Sequence, residues 1–283
     1  MENQSRPNPL VKYFRQPSIY IKLPSKGKFW PEGSLELPVT GELPVYPLTA
    51  RDEVTLRTPD ALMNGSGVVE VIQSCCPNIK DAWNMPSIDV DAVLIAIRIA
   101  SYGPQMDVDT KCPHCGEENT HGFDLQVSLS SITAPDYSKK IDYTGLKIKL
   151  KPQHYFGVNK QNIVDFQQQR MIKALESPDI DPEIRAKEIN DSMGKLVDVA
   201  LDNITDSTEY VEVEDGTVVN DREFIREFYK EADAAVVKMI QAKLAEFNIE
   251  GGIKQQIAPC THCDKDYPIT LMFDYASFFA VGS

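Results

Sequence analysis

Cys112-Pro113-His114-Cys115 and Cys260-Thr261-His262-Cys263 decide how this chain is folded. They lie 144 residues apart, so a shared ion requires the chain to turn back on itself. A tetrahedral zinc site takes four soft or borderline ligands, and each C-x-x-C turn supplies two thiolates that can aim at one metal. Cys112, Cys115, Cys260 and Cys263 are therefore the expected ligands of a structural Zn2+. Alternation of period two follows each knuckle: Phe123, Leu125, Val127 and Leu129 after the first, Tyr267, Ile269, Leu271 and Phe273 after the second. The spacing predicts a strand after each knuckle, the two halves pairing around the ion.

Two other chemistries compete for these cysteines. A dithiol redox motif places its first cysteine at a helix N-terminus, which lowers the thiol pKa. Here Gly116-Glu117-Glu118-Asn119 follows and then alternation, so that helix is not expected, and the second C-x-x-C has no part in such a site. Disulfides require an oxidising compartment, whereas no signal peptide is read and a reducing cytosol is expected. His114 and His262, inside the knuckles, are expected to face solvent. Cys75 and Cys76, before Pro77, read as small buried apolar residues, and His121 and His154 belong to no pattern.

The 283 residues suffice for one large domain or two ordinary ones, and an apolar fraction of 42% suffices for a core. The longest apolar candidate run, Val93 to Ala100, contains Arg98 and falls short of the roughly 18 residues a membrane span needs. Net charge is −13, and residues 159–250 carry 11 Lys and Arg against 21 Asp and Glu, a local balance of −10. Phosphate binding needs clustered positive charge, so no nucleic-acid partner is expected. Solvated helix faces account for the acidic stretch, with a basic protein partner as the sharper alternative.

Along the chain, the proline-rich first 47 residues predict an extended arm with short strands near Ile19 to Leu23 and Leu35 to Val39, lying along its own domain or a neighbour. Phe29 and Trp30 could anchor it. Thr49 to Asp52 reads as a helix start. Thr58-Pro59-Asp60 reads as another, ended by Asn64-Gly65. Gly67 to Cys75 follows, and Ile88 to Tyr102, apolar on nearly every face, is the expected central buried helix. Ile141 to Leu150 predicts a hairpin turned at Thr144-Gly145. Asp181-Pro182-Glu183 starts a helix striped by Ile189, Met193, Leu196, Val197, Ala200, Leu201 and Ile204. Tyr210 to Val219 reads as a hairpin about Asp215-Gly216. From Asn220 or Asp221 one long helix is expected, with a stripe from Ile225 to Phe247 against the preceding helix and a stop at Gly251-Gly252.

The expected fold class is α+β: mainly helical, with a zinc-ribbon-like β element formed by the two knuckles and a long helical insertion between them. The expected divisions are an extended arm (1–47), a helical region (48–105), a ribbon region (106–157 with 253–283) and an acidic helical insertion (158–252). No phosphate-cradling glycine loop, nucleophile elbow or His-Glu-x-x-His arrangement is present, and four thiolates would leave a metal no open position for water. No enzyme is expected, so there are no catalytic residues to name.

Residues 47–65 (PLTARDEVTLRTPDALMNG), 71–77 (VIQSCCP) and 87–103 (SIDVDAVLIAIRIASYG), with the first knuckle, carry a further signal. They resemble the baseplate hub protein family of T-even-type contractile-tailed bacteriophages. The match covers about residues 20 to 130 closely, and it extends more loosely to the C-terminal knuckle. The resemblance implies a non-enzymatic component or assembly chaperone of the central hub. Its expected partners are other hub, tape-measure or tail-tube proteins, with no membrane. The expected location is the host cytoplasm during assembly, or the tail baseplate of the virion. A nucleic-acid-binding zinc ribbon and a thiol-disulfide oxidoreductase are the alternatives.

Overall fold

The computed structural model describes residues 8–58, 64–175, 182–269 and 278–279. Among these are eight α-helices and four small antiparallel sheets. The helix expected to start at Thr58-Pro59-Asp60, over Pro59 to Met63, the helix-start residue Asp181 and the strand residues Leu271 and Phe273 lie outside the described residues.

The first hydrophobic core forms around helix α3 (Ser87–Tyr102), where Val90, Val93, Leu94, Ile97 and Ile99 are all buried, as expected of a helix apolar on nearly every face. Helix α1 (Ala50–Leu56) begins with a reciprocal cap: the Thr49 hydroxyl accepts from the Asp52 amide at 3.3 Å, and the Asp52 carboxylate accepts from the Thr49 amide at 2.7 Å. Helix α2 (Ser66–Cys75) starts from Gly65, whose left-handed φ of 78° and the Asn159 side chain 2.6 Å from where a Cβ would sit together require glycine.

The proline-rich arm joins this core. Strands β1 (Ile19–Ile21) and β2 (Leu43–Val45) pair antiparallel and bury Ile21, Leu43 and Val45. Arg15 bonds the Pro47 carbonyl (2.6 Å), the Ser74 carbonyl (2.7 Å) and Asp52 (3.3 Å), tying the arm to both α1 and α2. Trp30 donates to Asp89, and Phe29 packs edge-on to Tyr137. The strand expected at Leu35 to Val39 does not form. Leu35 makes one isolated bridge to Ile79, and the Gly41 amide closes a turn on the Pro38 carbonyl at 2.8 Å, so β2 takes the partner edge of β1.

A second core lies between a four-stranded sheet and the later helices. Strands β5 (Lys140–Tyr143) and β6 (Leu146–Leu150) form the expected hairpin. Strands β7 (Thr208–Glu212) and β8 (Val218–Val219) form the next, and β7 pairs with β6 to join them into one sheet. Helices α5 (Tyr155–Leu175) and α6 (Pro182–Asp206) lie between the hairpins in sequence. The single long helix expected after Asp221 is two: α7 (Arg222–Glu231) and α8 (Ala234–Gly251). Asp221 caps α7, but Ala232 turns extended (ψ 164°) and the Asp233 carboxylate accepts from the Ala235 amide, so a second cap interrupts the stripe. Ile225, Tyr229, Val236, Ile240 and Phe247 nevertheless bury against Ile204 and the sheet. Met193 and Val197, at the other end of the α6 stripe, are 56% and 59% exposed, so only its C-terminal part is covered.

A third, smaller cluster holds Cys112, Phe123, Cys260, Tyr267 and Ile269. It is built by two hairpins, β3 (Gln105–Lys111) with β4 (Glu118–Asp124) and β9 (Gln256–Pro259) with β10 (Asp266–Ile269). Here the expectation of one strand through Leu129 is corrected. The chain enters helix α4 (Leu125–Ser131) because the Asp124 carboxylate accepts from the Gln126 amide at 2.8 Å, capping a helix that buries Leu125 and leaves Val127 exposed.

Candidate metal centre

Each knuckle is the loop of its own hairpin, and the two loops share one construction. In the first, the Cys112 amide donates to the Glu117 carbonyl (2.9 Å) and the Gly116 amide to the Cys112 carbonyl (2.9 Å). In the second, the Cys260 amide donates to Lys265 (3.0 Å) and the Asp264 amide to Cys260 (3.0 Å). The fifth loop residue is left-handed in both, Gly116 at φ 80° and Asp264 at φ 56°; glycine and aspartate are among the few residues that tolerate this. In both, the amide of the knuckle histidine points at the first sulfur, His114 to Cys112 and His262 to Cys260, each at 3.4 Å. Cys112 therefore opens a hairpin turn rather than a helix, which removes the helix-terminal activation that a dithiol redox site uses.

The hairpins meet with their loops together. Cys112 Sγ lies 3.9 Å from Cys263 Sγ and Cys115 Sγ 3.6 Å from Cys260 Sγ, and all four sulfurs fall within 4.8 Å of one another. A zinc–sulfur length of about 2.3 Å implies sulfur–sulfur edges of about 3.8 Å in a tetrahedron, so these four residues could hold such an ion. The halves are joined through side chains, not through a shared ladder, since each strand pairs only within its own hairpin. Tyr267 of β10 reaches across to Thr110 (2.7 Å) and to His121 Nε2 (2.8 Å), both on the first hairpin.

Asn119 is the residue that sequence reasoning missed. Its side-chain oxygen accepts from both the amide and the hydroxyl of Thr261 at 2.8 Å, while its NH2 faces the Glu117 carbonyl (3.1 Å) and Cys260 Sγ (3.5 Å). One buried amide thus fixes the second knuckle on the first and donates to a sulfur. An asparagine in a polar strand gives no advance signal of this.

Cys260 and Cys115 differ sharply in acidity. Burial opposes the charge on Cys260, but the amides of His262 and Cys263, the Cys115 thiol and the Asn119 amide bring its pKa down to about 6. At Cys115 the Glu117 amide favours the thiolate, yet burial and the other three sulfurs outweigh it and push the pKa up to about 12. Such a split between two facing sulfurs is what converging thiols give when no cation balances them. His114 and His262 are exposed, as expected. Cys75 and Cys76 are buried in the first core, where burial first of all raises both, Cys75 to about 12. His154 donates from Nδ1 to the Asn84 carbonyl (2.7 Å), with burial lowering its pKa.

A family model described as T4 bacteriophage base plate protein matches residues 18–280, nearly the whole chain and both hairpins. The chain belongs to this family. Neither the curated proteins nor the solved structures compared with this baseplate protein give a match. Among its described residues no helix is long and apolar enough to cross a membrane.

Proposed function

We propose that this baseplate protein is a non-enzymatic scaffold of the central hub of the contractile tail, acting in hub assembly, and that Cys112, Cys115, Cys260 and Cys263 hold a structural Zn2+. The convergence of four sulfurs from knuckles separated by 144 residues carries the metal reading. Four protein ligands would fill the coordination sphere, so the ion's contribution is to hold two loops together rather than to activate water. The family match supports the tail assignment, and the resemblance of residues 47–103 to hub proteins supports the hub.

The four divisions expected from sequence are proposed as the working parts: arm, helical region, knuckle-bearing region and acidic insertion. A hub role calls for contacts with tape-measure, tail-tube or other hub proteins, formed in the host cytoplasm. The −13 charge argues against nucleic acid as a partner. Two measurements test the reading. Metal analysis of the purified chain is expected to give one zinc per chain, and the absence of bound metal together with four titratable thiols in the knuckles would remove the metal site. Quantitative mass spectrometry of purified tails separates the two hub roles: stoichiometric presence identifies a component, and absence from tails but presence in assembly intermediates identifies an assembly factor.

A further inference from the structure

A cavity of about 640 Å3 lies between the first turns of α3 and the helices α5, α6 and α8, where the first and second cores adjoin. Its size falls in the range of small-molecule sites. The wall is of two kinds. Ile88, Tyr137, Leu244 and Phe247 supply apolar surface, while at the rim the exposed side-chain amides of Asn162, Gln241 and Asn248 make no hydrogen bond to other described residues. Asp91 stands on this wall with neither a hydrogen bond nor an ion pair among the described residues. It is enclosed by protein on most sides, and the surface it keeps opens on the cavity. Lys151, the other charged residue on the wall, forms no salt bridge with it.

This is an unusual place to leave a carboxylate. Nearby Asp89, on the same helix, is satisfied by the Ser25 amide, the Ser25 hydroxyl and the Trp30 indole. Asp91 has no such set, and burial alone raises its pKa to about 6. Asp91 is half-buried, so its carboxylate is partly stripped of water without gaining a partner, and a ligand that supplies the opposite charge recovers that cost. The free amides beside it offer donors and acceptors for a second polar end, and the apolar patch suits a carbon chain between the two.

We propose that this cavity binds an aliphatic cation, an ammonium or guanidinium group on a carbon chain, with Asp91 as its counter-ion. The group could arrive on a free diamine or as a basic side chain of an assembly partner, and the chemistry at Asp91 is the same. The site is independent of the cysteine cluster, so its failure would leave the metal reading untouched.

Calorimetric titration of the full chain at pH 7.5 with putrescine and agmatine, and in parallel with N-acetyl-lysine amide and N-acetyl-arginine amide, tests the site. Binding is expected, with at least about a tenfold loss of affinity in Asp91→Asn, since a charge-assisted contact is removed. Preference for the free amines identifies a small-molecule ligand, and preference for the blocked amino acids identifies a side chain. Should Asp91→Asn not fold, the native chain still decides: affinity is expected to fall about tenfold from pH 7.5 to pH 5 as the carboxyl takes up its proton. No binding by any probe at about 10 mM, or binding indifferent to both the substitution and the pH, overturns the proposal.

Discussion

At the scale of single residues, Asn119 and Asp89 show how one polar side chain acts on more than its own neighbourhood. Asn119 bonds Thr261 twice and faces Cys260, so its loss would remove the direct tie between the knuckle loops and leave the Tyr267 bonds to join the hairpins. Asn119→Ala is expected to weaken metal affinity by about 10- to 100-fold, the range seen when a partner of a metal ligand is removed, as read by competition with a chromophoric chelator. Native affinity in the variant would show that the sulfurs alone position the knuckles. Asp89 is a separate case. Burial raises its pKa from 3.8 to about 6, outweighing the bonds from Ser25 and Trp30 that favour the charged form. The folded state then holds a proton that the unfolded chain releases earlier. Stability from this group is greatest below about pH 4, declines as pH rises towards 6, and is flat above; the span amounts to about 3 kcal/mol. Urea unfolding of metal-free protein between pH 4 and pH 7 should show this decline, and Asp89→Asn should flatten part of it. A stability that rises over that interval in the native chain, with no flattening in the variant, would contradict the assignment.

At the scale of elements, what the sequence made legible was what local chemistry decides. The Thr49 cap, the all-round apolar α3, the turn at Thr144-Gly145 and the paired cysteines each state their structure within a few residues. The misread elements were those where two local patterns overlap. Phe123, Leu125, Val127 and Leu129 alternate as a strand, yet Leu125 and Leu129 are also four apart, and the capping carboxylate of Asp124 selects the helix. The stripe from Ile225 to Phe247 runs unbroken through Asp233, which caps a second helix instead of sitting within the first. Strand β3 carries no clear pattern of its own, because Met106 alone among its residues is buried and its pairing to β4 is set by the knuckle loop. The joining of β6 to β7 across two helices leaves no local trace at all. The α6 stripe makes a quantitative test of burial. Ile204 is 1% exposed and Val197 59% exposed on the same helix. Ile204→Ala is expected to cost about 2–5 kcal/mol, whereas Val197→Ser should lie within about 0.5 kcal/mol of the native chain, as measured by urea unfolding. Comparable losses at both positions would mean that the exposed end of the stripe is covered in solution.

At the scale of the whole molecule, the question is how far the loss of the ion would spread. The cysteine cluster is small, with Cys112, Phe123, Cys260, Tyr267 and Ile269 as its buried members, and much of its order is the convergence of the two loops. The first core draws little on it: among the described residues Met106 is the one buried member that comes from either hairpin, most of the rest lying in the arm, α1, α2, α3, α4, α5 and their connections. The segment leading into the C-terminal hairpin is anchored separately, with Gly251 at the end of α8 close against Pro135 and Ile253 packed on the first core. Removing zinc should therefore release the hairpins locally without unfolding the body. Structural zinc contributes about 10–16 kcal/mol in isolated finger peptides, where it organises the whole fold, but here its influence should stop at the third cluster. Hydrogen exchange after chelation is expected to lose protection in residues 105–124 and 256–269 while the α3 amides keep theirs, and Cys260→Ser should reproduce the pattern without a chelator. Loss of α3 protection would mean that the ion supports the entire chain. Unchanged protection in both hairpins after verified metal loss would mean that Asn119, Tyr267 and the apolar contacts suffice to hold them, and that the four sulfurs meet for another reason.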